Sequence, residues 1–163
     1  MGTSRIIGAI TEINITTSSG AIYASGDQIG TVIEATFTSE ENLGVCELVD
    51  LVLIDKAKQG SIIQLFFFDQ NPVNAVLDND VASISDDEVV DKCIGFVTVA
   101  SSDYKMLDVN SVACVKNIGL ILKNNNAHYK DNQKSIFILV VSGGTPTYTS
   151  TSDLVLKLGI HKY

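Results

Sequence analysis

Asp78 and Asp80, followed by Asp86, Asp87, Glu88 and Asp91, are the densest run of potential metal-ligating side chains in this sequence. Calcium takes several carboxylate and carbonyl oxygens from one flexible loop, and Asp78 and Asp80 are the pair placed for that chemistry. The stretch lacks the glycine and the regular ligand spacing of an EF-hand loop, and a solvated loop feeding a capped helix accounts for the same residues. Paired carboxylates can also hydrolyse a glycosidic bond, one as acid and the other as base or nucleophile. Here no tryptophan is available to stack a sugar, and the histidines are only His128 and His161.

The remaining reactive side chains form no familiar constellation. Neither histidine lies near a nucleophile motif, and no G-x-S-x-G elbow occurs; both read as surface residues. Ser142-Gly143-Gly144-Thr145 is glycine-rich but has neither the lysine nor the following helix of a phosphate loop. It reads instead as a tight connection into the last strand. Cys46, Cys93 and Cys114 sit in apolar runs without C-x-x-C spacing, so they read as buried free thiols rather than a disulfide framework or a metal site. Tyr104, Tyr129 and Tyr148 fall in turn-rich segments, where they could line a recognition surface or pack over the edges of a fold. The sequence thus points to no catalytic residue and no cofactor.

The elements that would position these residues are strands. In Asp153–Lys162, Leu154, Leu156, Leu158 and Ile160 alternate with a mostly polar set, so four aliphatic side chains share one face of an extended segment. Similar runs are expected at Arg5–Thr16, Thr31–Thr38, Gly44–Lys56, Ser61–Asp69, Ile94–Ala100, Ser111–Leu122 and Ser135–Ser142. Turn clusters separate them, including Ser39-Glu40-Glu41-Asn42, Asn124-Asn125-Asn126 and Gly143-Gly144-Thr145-Pro146. Gln59-Gly60 is expected to close a hairpin between the third and fourth runs. Leu65-Phe66-Phe67-Phe68 is apolar on both faces and requires cover on each, from a second sheet and a loop or from another subunit. Pro72 ends that run because proline cannot donate to a ladder. Residues 70–84 read as a long loop. Ser85-Asp86-Asp87-Glu88 matches a capping box and starts one short helix near 85–92.

This pattern predicts an all-β antiparallel sandwich, jelly-roll-like, in one domain over residues 1–163. Strand–helix alternation, internal repeats and linkers are missing from it. The chain carries a net charge of −8, with 45% hydrophobic and 18% charged residues. Its mean hydropathy is +0.25, which predicts apolar surface covered by a partner. Eleven basic residues are scattered, and the group Lys123, His128, Lys130 and Lys134 is thinned by Asn and Asp, so a nucleic-acid partner is not expected. The longest apolar stretches, Leu51–Ile54, Leu65–Phe68 and Ile136–Val141, fall far short of the roughly 20 residues of a membrane span. The apolar stretch after Arg5 is broken by Gly8, Thr11, Glu12 and Asn14, so no secretory leader is expected.

Three stretches together resemble a known family. They are Tyr23-Ala24-Ser25-Gly26-Asp27-Gln28-Ile29-Gly30, Leu65-Phe66-Phe67-Phe68-Asp69-Gln70-Asn71-Pro72, and Gly144 through Leu154. Ile94-Gly95-Phe96-Val97 and Ala100-Ser101-Ser102-Asp103-Tyr104 fit the same order. The pattern resembles small virion structural proteins of tailed bacteriophages, auxiliary or decoration proteins of the capsid, including those of crAss-like phages. The resemblance implies a virion component made in the host cytoplasm and attached to the major capsid protein or other virion proteins, as a homo-oligomer or between capsomers. It carries no catalytic residue over to this chain. The alternative is a carbohydrate- or receptor-binding module of a phage tail or fibre. The loops at 70–84 and 123–134 would form its site, with calcium from Asp78 and Asp80.

Overall fold

The computed structural model describes residues 7–38, 45–73, 76–123 and 133–162. These form β1 (Ile7–Ile15), β2 (Ile33–Thr38), β3 (Val45–Asp55), β4 (Ile63–Phe68), α1 (Asp86–Lys92), β5 (Cys93–Val99), a 3-10 turn (Ser101–Asp103), β6 (Tyr104–Met106), β7 (Ser111–Val115), β8 (Leu120–Lys123), β9 (Gln133–Ser142) and β10 (Leu154–Lys162). All pairings between the strands are antiparallel. One sheet has the order β1-β10-β3-β7-β6, with β8 also on β3; the other has the order β2-β9-β4-β5. Without the short β6 and β7, the two sheets read β1-β10-β3-β8 and β2-β9-β4-β5. Every connection except β4 to β5 then passes from one sheet to the other. That is the strand order of a jelly roll, two Greek keys folded face to face.

Alternation along the strands builds the core. Leu154, Leu156, Leu158 and Ile160 of β10 face inward as the sequence pattern requires, meeting Ile63, Leu65 and Phe67 of β4 and Ile136, Ile138 and Val140 of β9. β3 departs from strict alternation. Cys46 and Leu48 point inward, and so do Leu51, Leu53 and Asp55, because the register with β10 slips between Gly159 and Ile160. One extra residue on β3 returns the apolar set to the same face.

Two expectations need correction, and one strand is not announced by the sequence. The run Ser111–Leu122 is two strands, β7 and β8, broken by Asn117 and Gly119 at positive φ. The break sits opposite the β3 irregularity, where the Ile118 amide donates to the Val49 carbonyl at 2.9 Å. The turn at Gln59-Gly60 does not close a hairpin, since β3 and β4 belong to different sheets. A buried carboxylate shapes it instead: the Gly60 amide donates to Asp55 Oδ2 at 2.8 Å. The three residues of β6 carry too few apolar alternations to announce a strand. The turn at 39–42 lies outside the described residues.

Leu65-Phe66-Phe67-Phe68 is covered as its composition demands. Leu65 and Phe67 enter the core, while Phe66 and Phe68 face outward, Phe66 half-buried and Phe68 buried beneath the connection running from 69 to 92. That connection lies over the outer face of the second sheet and meets Phe68, Phe137, Leu139 and Val141 through Ala82, Ile84 and Cys93. All residues of β9 from Ser135 to Ser142 are consequently buried, on both faces.

Candidate functional site

The carboxylates singled out by the sequence serve the backbone. Asp78 accepts from Ser18 Oγ, from the Tyr23 hydroxyl at 2.8 Å and from the Gly30 amide at 2.5 Å. It therefore ties the 69–92 connection to the segment between β1 and β2. Gly30 has φ +70°, and a Cβ there would stand 2.5 Å from the Thr16 carbonyl oxygen, so only glycine brings its amide to Asp78 without strain. Asp80 is exposed, and its carbonyl accepts from the Gln28 amide. Asp27, Asp103 and Asp153 likewise accept amides of their own turns, from Ala24, Ala100 and both Thr149 and Ser150. Among the described residues no group of three or more His, Cys, Asp or Glu is placed to hold a metal ion.

α1 starts where the capping signal lies. The Glu88 amide donates to Ser85 Oγ, and Asp86, Asp87 and Glu88 occupy the first turn. Half of the predicted box differs: the Glu88 carboxylate reaches forward, accepting from the Val73 amide at 2.8 Å and pairing with Lys92 Nζ at 2.5 Å. Lys92 also donates to the Asn71 carbonyl. The Lys92 bond, followed by the Val73 amide, holds the Glu88 carboxyl below its ordinary range. This clamp fixes a helix that buries none of its residues.

Tyr104 and Tyr148 are buried core residues rather than a recognition surface, and Tyr148 packs edge-on to Tyr23 with ring centroids 5.9 Å apart. Burial raises the hydroxyl pKa of all three, that of Tyr23 to about 12. Cys46 is buried, Cys93 is half-buried, and Cys114 is exposed, which corrects the expectation of three buried thiols. His161 is half-buried near the end of β10. His128, Lys130, Tyr129 and most of the 123–134 loop lie outside the described residues. Gly143 makes the tight connection expected of it, donating to the Ile62 carbonyl; a Cβ there would lie 2.6 Å from Ile62 Cγ2.

What the sequence did not single out is a groove on the outer face of the second sheet. The β4–β5 and β4–β9 registers set Phe96, Phe66 and Leu139 side by side across three strands. The 69–92 connection covers Phe68, Leu139 and Val141 but leaves the β5 end of this row open, where Phe66 is half-buried and Phe96 is 63% exposed. The groove holds about 510 Å³ and is lined further by Gly26, Gln64, Val81, Ala82, Ile84 and Val89. A second, more polar groove of about 410 Å³ lies between Gln28, Thr31 and Val32 on one side and Asn71, Pro72, Val73 and Val76 on the other. No helix among the described residues is long and apolar enough to cross a membrane.

Fold and surface together define the class: an antiparallel jelly-roll β-sandwich with an exposed apolar groove on one sheet. No protein-family model matches the chain, and no curated protein does. Among solved structures, a chain of Desmodium yellow mottle tymovirus is similar at 12% identity and a TM-score of 0.27, over 99% of this chain and 84% of that one. A chain of Israeli acute paralysis virus, from a full particle heated to 63 degrees, is similar at 10% identity and a TM-score of 0.26, over 97% of this chain and 67% of that one. At these scores the likeness adds nothing to the jelly-roll assignment, which rests on the strand order.

Proposed function

We propose that this chain is a non-enzymatic structural protein of a bacteriophage particle, an auxiliary or decoration unit attached to the capsid. The observation that carries the proposal is the row Phe96–Phe66–Leu139, whose Phe96–Phe66 end is left open on the outside of a jelly roll. Such a row gains from being covered. The resemblance of the stretches around Tyr23, Phe66 and Tyr148 to phage auxiliary capsid proteins supplies the setting. In that setting the chain adds to the major capsid protein or to neighbouring virion proteins, as a homo-oligomer or between capsomers. A contact of roughly 800 Å² per partner suffices for specific attachment, and repetition over a shell multiplies weak contacts. Mass spectrometry of purified particles tests this: copies in proportion to capsomers are expected, and none or a handful would overturn it.

The polar groove between Gln28 and Asn71 favours a second reading, a carbohydrate- or receptor-binding module of a tail or fibre, since jelly rolls also serve as lectins. A glycan array decides it, and no retained glycan would remove it.

A further inference from the structure

We infer that the groove over β4, β5 and β9 receives an extended segment of another protein in which large apolar side chains are flanked by lysine or arginine. The virion reading says where such a partner is met; the groove itself says what its chemistry is. The floor is apolar, built by Phe66, Phe96, Leu139 and Val141. Val81 and Val89, which are 70% and 42% exposed, also line it. Exposed carboxylates neighbour both of these residues in the chain. Asp80 adjoins Val81 in the chain, and Asp86 precedes Val89 by three residues, which puts it on the same side of α1. Both carboxylates are exposed, and Asp87 and Asp91 add two more exposed ones on the same helix.

No lysine or arginine lines the groove, and Lys92 is held by Glu88 and the Asn71 carbonyl. An apolar slot with an acidic rim selects an apolar segment with cationic flanks: burial of the apolar side chains supplies affinity, while charge supplies selection and encounter rate. A second copy of this chain brought to the same face by a two-fold axis would set acidic rim against acidic rim.

The test titrates the full chain with short fluorescent peptides that share one Leu–Phe core and carry lysine, glutamate or serine flanks. The lysine-flanked peptide is expected to bind tightest and to weaken about tenfold from low to high salt. Phe96→Ser should weaken it by about tenfold or more. Asp80→Asn combined with Asp86→Asn should abolish the preference for lysine over glutamate flanks while leaving the melting temperature unchanged. Equal binding of both flanks, no binding, or an indifferent Phe96→Ser variant would overturn the inference. So would sedimentation showing a dimer that Phe96→Ser abolishes. Cross-linking of assembled particles separates this inference from the virion reading. Cross-links from α1 or β5 to a lysine of another virion protein support it. A chain abundant in particles but cross-linked only through other faces overturns the groove assignment and leaves the virion reading standing. A chain missing from particles overturns the virion reading, and the peptides alone then decide the groove.

Discussion

Phe66 and Phe96 face each other across the β4–β5 register with ring centroids 5.7 Å apart and planes 31° from parallel. The pair sits on the outward side of its sheet, yet Phe67, the next residue along β4, is wholly buried in the core. Adjacent phenylalanines therefore do different work, one holding the sandwich together and its neighbour furnishing the surface.

That division predicts unequal costs in urea unfolding. Phe67→Ala should lose about 3–5 kcal/mol, as expected for a large side chain removed from a packed core. Phe96→Ala should lose about 1 kcal/mol or less, the worth of an exposed aromatic pair. Equal costs would mean that the outward row is part of the core after all.

Asp78 is predicted to be a structural brace. Asp78→Ala strands the Tyr23 hydroxyl and the Gly30 amide and should cost about 2–4 kcal/mol. Tyr23→Phe, which removes one of those bonds, should cost about 1 kcal/mol. Thermal melts with calcium or a chelator should coincide in the unmodified protein. A rise in melting temperature with calcium would instead place a cation at Asp78 and Asp80.

Asp55 is predicted to make the protein more stable in acid than in neutral solution by its own contribution. The residue is fully buried with Oδ1 lacking a partner, and burial raises its carboxyl above the ordinary 3.8, against the lowering effect of the amides of 57–60. A carboxyl whose folded pKa exceeds its unfolded one contributes stability that is complete below the unfolded value and lost as pH rises through the folded one. Asp55→Asn keeps an acceptor for the Gly60 amide and turns a donor toward Ser111, whose hydroxyl is also buried without a partner. Urea midpoints measured from pH 3.8 upward should fall for the native protein and stay flatter for the variant. Parallel curves would refute the assignment.

The buried phenols set the alkaline limit. Tyr23, Tyr104 and Tyr148 all ionise later than a free tyrosine, Tyr23 at about 12, chiefly because burial disfavours the phenolate. Their contribution is whole below the ordinary value of 10 and is lost as pH climbs through the raised values. Absorbance titration should show these three appearing together with the loss of the near-ultraviolet circular dichroism signal. A titration complete before unfolding would place the rings at the surface.

Strand positions and the helix start were legible in the sequence because they depend on short-range alternation and capping. Leu154 to Ile160 shows its face by period two alone, and Ser85 marks the cap of α1 within four residues. The demand for cover on both faces of Leu65–Phe68 was equally legible, since four consecutive apolar side chains cannot all point to one side.

The partners of those strands, and hence the groove, depended on contacts far apart in the chain. Gln59-Gly60 looks the same whether the chain turns back along its own sheet or crosses to the other. The choice falls to β10, β7 and β8 on β3, and to β5 and β9 on β4. The roles of the carboxylates were hidden for the same reason: Asp78 meets Tyr23 from 55 positions away. Sequence fixes which side chains must leave water, because that is a property of each residue and its near neighbours. Only the tertiary structure decides which of them still meet water afterwards, because the exposed pair Phe96–Phe66 exists only when β4 and β5, separated in the chain, lie in register.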